Sequence, residues 1–380
     1  MPALTERMTA GGHEQVVFVT DDAVGLRAII AVHSTALGPS LGGIRFWSYP
    51  DEDAALVDVL RLSEAMSLKA AAAGLHQGGG KAVVLWDDPA RPRDELFLRA
   101  LGRAVDALGG RYIAAEDVGA TPADMNGLAL ETPWVTGVDG PGGSGDPSPV
   151  TALGVVAAMR AVAGALDGDP SLMGKRVVVQ GAGHVGGHLV HLLVEAGASI
   201  GVADVRPELV HQLVRAHGVD ALECETVLDQ PCDILAPCAL GGVLDRSKVS
   251  GLRCRAIAGA ANNQLLDAAT DETLADRGIL YAPDFVANAG GIINIAEEFT
   301  GYDRGRALER TAAIEATTTR VFALARELGV PPGRAAETMA RRRIAEEGGG
   351  RRWRPGDPAA WTNGAPLRSV RPPAASSKAV

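Results

Sequence analysis

The chain is expected to be an α/β protein of two domains flanking a cleft, the second built on a parallel sheet. Three features predict this. Short β-rich runs alternate with stretches of helical period over most of the 380 residues. A Gly/Pro/Ser-rich segment at 140–149 breaks the pattern, as a hinge does. An apolar run at 176–180 ends in a glycine-spaced turn. In order, Gln15–Thr20 and Leu26–Val32 are separated by Asp21 and Asp22 and read as a hairpin. Leu56, Val59, Leu60, Ser63 and Met66 recur at helical spacing within 52–73, and Gly74 ends that helix. A strand at 82–86, a helix near 94–108 and a strand at 111–115 complete the first module. Beyond the hinge, strands are expected at 177–180, 200–203, 233–236, 256–259 and 279–281, then helices over 289–328 and from Pro331-Pro332 to about 347. The domains expected are 1–148, 149–330, a C-terminal helix at 331–347 packing back on the first domain, and a disordered Gly/Pro/Ala/Ser-rich tail at 348–380.

Composition excludes several classes. A net charge of -10 opposes phosphate neutralisation, so no nucleic-acid partner is expected. Cys224, Cys232, Cys238 and Cys254 form no C-x-x-C pair and no metal-ligand spacing, so reduced thiols and no metal are expected. The first twelve residues have no signal-peptide core, and no run is read as reaching the roughly 20 apolar residues that span a bilayer. The expectation is a cytoplasmic protein without membrane contact.

The segment Arg176-Val-Val-Val-Gln-Gly181-Ala-Gly183-His-Val-Gly186 carries G-x-G-x-x-G where a strand meets a helix. Gly181 permits the tight turn, Gly183 lets backbone approach a pyrophosphate, and Gly186 allows close helix–strand packing. Ala182, His184 and Val185 fill the same phosphate-facing turn. Asp204 follows the next β-rich run at the spacing of a ribose-binding acid, where it would disfavour a 2′-phosphate. The reading is a Rossmann-type domain that binds NAD, with Arg206 nearby leaving NADP less firmly excluded. The alternative use of Asp204 is a turn or cap before Pro207.

Two lysines stand in apolar surroundings. Lys69 precedes four alanines, and Lys81 follows Gly78-Gly79-Gly80 and precedes Ala82-Val83-Val84. Desolvation there lowers an ammonium pKa, which suits a base, and the glycines would let a ligand approach bare backbone. A solvated surface charge is the commoner use of a lysine. Glu116-Asp117, directly after a strand, suits either proton handling or turn formation.

Gly38-Pro-Ser-Leu-Gly-Gly-Ile-Arg45, Lys69, Gly78-Gly-Gly-Lys81, Glu116-Asp-Val-Gly119, Pro149-Val-Thr-Ala-Leu-Gly154, Ala236-Pro-Cys-Ala-Leu-Gly241, Gly259-Ala-Ala-Asn-Asn-Gln264 and Tyr281-Ala-Pro-Asp-Phe-Val-Ala-Asn-Ala-Gly-Gly291 follow one another in order. Together they resemble the glutamate/leucine/phenylalanine/valine dehydrogenase family over about 13–346, most of all its leucine and valine branches. The resemblance implies NAD-dependent oxidative deamination of a small branched-chain amino acid. It implies Lys81 as general base and Asp117 as its partner in proton transfer, with Lys69 and Arg45 in the substrate site. It places Thr151, Ala261 and Asn262 at the nicotinamide end, Cys238 and Ala239 along the cofactor cleft, and Asn288 beside the substrate. It also implies a homo-oligomer acting on a small molecule.

The side-chain pocket implied by the resemblance is formed by Leu41, Ala115, Ile292 and Ile295. All four are apolar, so a glutamate side chain would lose hydration without a partner. One methylene is worth only about 1–3 kcal/mol in such a pocket, so leucine, valine and isoleucine should all react. Alternatives are a phenylalanine dehydrogenase and a catalytically silent NAD-binding protein. Ile44 where relatives carry threonine, Ala70 for asparagine and Leu209 for arginine are departures from the family pattern.

Overall fold

The computed structural model describes residues 3–88, 91–138, 142–350 and 352–353. The chain divides into two compact units. Among the described residues, the first holds those up to Gly145, Ile295–Asp303 and those from Arg341 to 353; the second holds Asp146–Asn294 and Arg304–Ala340.

In the first unit the order is α1 (Leu4–Gly11), β1 (Gln15–Asp21), β2 (Leu26–Ser34), β3 (Ser40–Trp47), α2 (Glu52–Ala72), β4 (Gly78–Leu85), α3 (Glu95–Asp106), β5 (Tyr112–Glu116) and α4 (Pro122–Leu128). The five strands pair as β1-β2-β4-β3-β5. β2 runs antiparallel to both its neighbours, β1 and β4, whereas β4, β3 and β5 run parallel. Alternation along the strands sorts side chains onto two faces. Leu26, Ala28, Ile30, Ile44, Phe46, Ala82, Val84, Tyr112 and Ala114 belong to a core shared with Phe97, Leu101, Met125 and Leu128 of α3 and α4. Ile29, Ala31 and Val83 point the other way, onto Ala55, Leu56, Val59 and Leu60 of α2.

α2 begins where the Asp51 carboxylate accepts the Ala54 N–H at 2.8 Å. It stops where Gly74 turns left-handed at φ 72°, as the sequence predicts. β4 starts earlier than expected, because the glycine triplet is strand. A Cβ on Gly78, Gly79 or Gly80 would meet, respectively, the Ser34 carbonyl oxygen at 1.8 Å, the Ser67 nitrogen at 2.1 Å and Ser40 Oγ at 2.7 Å. These glycines therefore admit neighbouring protein. They do not clear a path for a ligand, which corrects the sequence reading.

The second unit opens with α5 (Ser148–Asp167) and continues β6 (Arg176–Gln180), α6 (His184–Glu195), β7 (Ser199–Ala203), α7 (Pro207–His217), β8 (Asp220–Ala221), β9 (Cys232–Pro237), α8 (Arg246–Val249), β10 (Cys254–Ile257), α9 (Ala268–Asp276) and β11 (Leu280–Tyr281). α10 (Asp284–Ala287), α11 (Gly290–Ala296), α12 (Arg304–Ala312), α13 (Ile314–Leu328) and α14 (Pro332–Gly348) follow. The strands form one parallel sheet in the order β11-β10-β9-β6-β7-β8. That is the doubly wound order, with its switch point between β6 and β9.

α5 corrects the expectation that no apolar run reaches membrane-spanning length. It has 20 residues, and an 18-residue stretch of it reaches a mean hydropathy of 1.6, enough by length and composition alone. It packs against α6 and α13 and is 61% buried, and a helix covered on several sides is apolar around much of its girth.

α14 starts in the second unit and passes into the first at Arg341. There Arg341 pairs with Glu64 at 2.6 Å and Arg343 Nη1 donates to the Ala71 carbonyl at 2.8 Å. Within the segment expected to be a disordered tail, Trp353 is buried and its N–H donates to Thr35 Oγ1 at 3.1 Å. The rest of that segment, 351 and 354–380, lies outside the described residues.

Candidate active site

The α2-facing side of the first sheet carries the chemistry. Leu41 pairs with Gly79 and Ile113 in register, Gly43 with Ala115, and Arg45 with Val83. These positions share one face, and Ala31, which lies on that face, pairs with Lys81. Leu41, Lys81 and Ala115 are 1%, 4% and 5% exposed. Asp117 follows β5 directly, and Gly43 makes room for it: a Cβ there would lie 2.5 Å from the Asp117 Cβ.

Lys81 Nζ lies 2.9 Å from Asp117 Oδ2, and Arg45 Nε donates to the same oxygen at 2.9 Å. Neither contact uses Asp117 Oδ1. Burial lowers the Lys81 pKa below the ordinary 10.5; Asp117 opposes this and Arg45 adds to it. Burial alone would raise the Asp117 carboxyl, but Lys81 and Arg45 together hold it below its usual range.

The loop bearing Asp117 is tied down on both sides. The Phe46 N–H donates to the Val118 carbonyl at 3.0 Å, the Ala120 N–H to the Asp117 carbonyl at 2.9 Å, and Arg93 to the Gly119 carbonyl. Lys69 is half-buried near the C-terminal end of α2.

Two participants are absent from the sequence reading. Arg45 Nη1 donates to Asp58 Oδ2 at 3.0 Å, and the Tyr49 hydroxyl donates to the same oxygen at 2.7 Å. A signal for Asp58 exists in the spacing. It precedes Lys69 by eleven residues, close to three helical turns, so α2 carries both on one stripe.

Among the family departures, Ile44 belongs to the α3/α4 core, on the face away from Lys81. Ala70 is fully buried. Neither substitution removes a partner of the Lys81–Asp117 pair.

In the second unit the glycine turn sits at the switch point. The Gly181 N–H donates to the Ala203 carbonyl and the Cys238 N–H to the Gln180 carbonyl, both at 2.7 Å. Gly181 has φ 106°, where a side chain is strained, and a Cβ would also lie 2.9 Å from the Ala239 nitrogen. At Gly183, which precedes α6, the nearest atom to an added Cβ is Arg206 Nη2 at 3.5 Å, so the backbone there is open. No side chain caps α6. Its first N–H groups, from His184 and Val185 onward, remain available to an anion. Asp204 Oδ2 accepts the Ala182 N–H at 2.7 Å, and Oδ1 accepts the Arg206 N–H at 2.8 Å. Asp204 therefore braces the glycine turn and is not the cap of α7, which begins after an Arg206 N-cap without a side-chain bond.

Beyond the C-terminal ends of β10 and β11, Asn288 Nδ2 donates to Asn262 Oδ1 at 2.7 Å and to the Ala260 carbonyl at 3.1 Å. Asn288 Oδ1 is buried with no hydrogen-bond partner among the described residues, an acceptor that a ligand donor would satisfy. Thr151 Oγ1 donates to the Pro147 carbonyl at 2.9 Å, and a Cβ on Gly291 would lie 2.8 Å from that oxygen. Ala261 is buried beside the exposed Asn262. The four cysteines are unpaired, and burial pushes the Cys238 thiol up to about 12, which leaves it protonated and unsuited to nucleophilic work. Of the four pocket positions, Leu41 and Ala115 lie together on the first sheet. Ile295 belongs to the first unit and Ile292 to the second.

A doubly wound sheet with an open glycine turn, carried with a unit holding a buried lysine–carboxylate pair, defines a dehydrogenase with a Rossmann-type domain. Residues 13–133 match the Glu/Leu/Phe/Val dehydrogenase dimerisation domain, and 142–213 with 205–346 match Glutamate/Leucine/Phenylalanine/Valine dehydrogenase. The chain belongs to this family of amino-acid dehydrogenases. A valine dehydrogenase of Streptomyces virginiae is 49% identical over 340 residues, covering 88% of this chain and 95% of its own. A leucine dehydrogenase of Bacillus subtilis (strain 168) is 46% identical over 333 residues, covering 87% and 91%. The crystal structure of L-tryptophan dehydrogenase from Nostoc punctiforme superposes with a TM-score of 0.81 at 40% identity, covering 90% of this chain and 99% of that one.

Proposed function

We propose that the chain catalyses reversible, NAD-dependent oxidative deamination of a branched-chain L-amino acid (leucine, valine or isoleucine) to the 2-oxo acid and ammonia. The observation that carries this reading is the pairing of buried Lys81 with half-buried Asp117 on the sheet face that also bears Leu41 and Ala115. An apolar wall beside a proton-transfer pair favours an aliphatic side chain, and an unpaired carboxylate there would cost several kcal/mol of lost hydration.

The nicotinamide ring, when bound, supplies the acceptor for the hydride leaving the substrate Cα. Asp117 assists proton transfer at the amino group, with Oδ1 as the oxygen free of the two cations. Lys81, as the neutral amine, takes the proton of the water that adds to the resulting iminium carbon. The C–N bond then breaks and ammonia departs. Lys69 holds the substrate carboxylate, Arg45 belongs to the same site as Leu41 and Ala115, and Ile292 and Ile295 are the further apolar residues assigned to the substrate side chain. Asn288 serves as a substrate neighbour. Thr151, Cys238, Ala239, Ala261 and Asn262 line the nicotinamide side.

NAD is favoured because the Asp204 carboxylate, held ionised by the Arg206 and Ala182 N–H groups against the effect of its burial, would repel a 2′-phosphate. A cytoplasmic homo-oligomer completes the reading, supported by the dimerisation-domain match.

A panel of leucine, valine, isoleucine, phenylalanine, tryptophan and glutamate, assayed at 340 nm with NAD and with NADP, tests substrate and cofactor together. The expected result is the highest kcat/KM for an aliphatic amino acid with NAD. The structural relative that acts on tryptophan makes an aromatic preference the second reading, and a higher kcat/KM for phenylalanine or tryptophan would establish it. Dinucleotide binding without turnover of any amino acid would leave a silent binding protein. A second expectation concerns Lys69→Ala. Its KM for the amino acid rises at least about tenfold, a loss of about 1.4 kcal/mol, while dinucleotide affinity stays within twofold. Lost dinucleotide affinity with an unaltered KM would remove Lys69 from the substrate site.

A further inference from the structure

We infer that Asp58 and Tyr49 are positioning residues for the reaction, acting through Arg45 to fix the Asp117 carboxylate against Lys81. The inference rests on the proposed role of the Lys81–Asp117 pair.

The contacts form one continuous chain. Tyr49 donates to Asp58 Oδ2 at 2.7 Å, Arg45 spans from Asp58 at 3.0 Å to Asp117 at 2.9 Å, and Asp117 meets Lys81 at 2.9 Å. Arg61 closes the outer end on Asp58 Oδ1 at 2.9 Å. Exposure falls along the chain, from 54% for the Arg61 side chain through 18–21% for Asp58, Arg45 and Asp117 to 5% for Lys81. The outer pair is therefore solvated and weakly coupled, whereas the inner contacts lie where charge interactions are poorly screened.

Arg45 is the central element. A guanidinium is planar, and its Nε and Nη1 are rigidly related, so a carboxylate fixed on Nη1 fixes the direction in which Nε points. Asp58 sits on a 21-residue helix capped by Asp51, an anchor with little freedom. The Tyr49 hydroxyl, kept protonated by burial and by its bond to Asp58, adds a neutral donor to the anchoring oxygen. Without Asp58, Arg45 keeps one carboxylate partner, and the angle of Asp117 is no longer set from outside.

The charge pattern supports the same role. Lys81 faces Asp117 from the loop after β5, Arg45 from β3 and Asp58 from α2; Tyr112 of β5 lies buried nearby, its hydroxyl bonded to the Gly42 carbonyl at 2.7 Å, and α2 also carries Lys69 and the solvated Arg61. Arg45 and Lys81 are balanced by Asp117 and Asp58. Of these neighbours Arg45 lowers the Lys81 pKa, whereas Asp117 and Asp58 raise it. Neutralising Asp58 thus moves the ionisation of Lys81 to lower pH.

The test compares Asp58→Asn, Tyr49→Phe and, as a carboxylate control on the same helix, Asp53→Asn. Asp53 pairs with Arg7 at the helix start. Asp58→Asn is expected to lower kcat about 10- to 100-fold with KM for the amino acid changed less than about threefold. The acid limb of its kcat/KM profile is expected to move to lower pH. Tyr49→Phe should lower kcat in the same sense but less, without moving that limb, and Asp53→Asn should do neither. Equal Tm values exclude unfolding as the cause. An Asp58→Asn enzyme with native kcat and an unmoved acid limb would overturn the inference.

A readout without turnover separates this from the functional reading. Acetylation of Lys81 by acetic anhydride across a pH series, followed by peptide mass spectrometry, reports its ionisation directly. A labelling profile displaced to lower pH in Asp58→Asn upholds the inference even if no amino acid is turned over. An undisplaced profile together with native kcat rejects it and leaves the functional reading intact.

Discussion

Lys81→Ala is expected to lower kcat by about 10³-fold or more, while the affinity for the dinucleotide stays within a factor of two. General acid–base catalysis is worth about 10²–10⁴-fold. This group also holds the partner carboxylate, so the upper half of that range applies. The residue lies on β4, inside the sheet of the first unit, whereas the glycine turn belongs to the second, so dinucleotide binding has no reason to follow. The native enzyme should gain activity with rising pH. Only the neutral amine accepts a proton, and burial with Arg45 nearby sets its ionisation below the ordinary lysine value despite the opposing Asp117. A variant retaining a tenth of native kcat would end the assignment of Lys81 as the base.

Gly186→Ala is expected to weaken dinucleotide binding at least about 100-fold, equal to about 2.7 kcal/mol at 25 °C. A methyl group there would lie 2.0 Å from the Gly181 carbonyl oxygen and 2.9 Å from its carbon. Both atoms are backbone of the turn proposed to meet the phosphates, so α6 has to withdraw or the turn has to open. Gly187 provides the contrast. A Cβ there meets only the Ala182 carbonyl oxygen, at 3.7 Å, an ordinary contact. Gly187→Ala should therefore bind as the native protein does. Titration of intrinsic fluorescence or calorimetry measures both, and equal affinities for the two variants would show that close packing at Gly186 is not what the site needs.

Both glycine effects were open to a reader of the sequence in unequal degree. G-x-G-x-x-G after an apolar strand names Gly186 as a packing position, and the fold bears this out at the Gly181 carbonyl. The triplet before Lys81 has the same local look, yet it is strand: its missing side chains make way for Ser34, Ser40 and Ser67. Nothing within a few residues distinguishes the two cases, because the atoms that need the space come from elsewhere in the chain. α5 was lost for a related reason. Its Pro147 and Pro149 resemble linker chemistry, and its apolar surface lacks the one-sided pattern that marks an exposed helix.

What the residues encode locally was legible in advance. The β1–β2 hairpin, the span of α2 and its glycine stop, the alternation behind the second sheet and the glycine turn after β6 all depend on side-chain period and on which residues tolerate a positive φ. Those preferences act over a few residues and survive any arrangement of the rest. The environment of Lys81 is different in kind. Asp117 lies 36 positions further along the chain, Arg45 bonds it across a separation of 72, and Asp58 enters from a helix turned onto the sheet. Strand register and helix packing bring these four charges together, and a charge alters a neighbour's ionisation only through distance and shielding from water. Folding in three dimensions sets both.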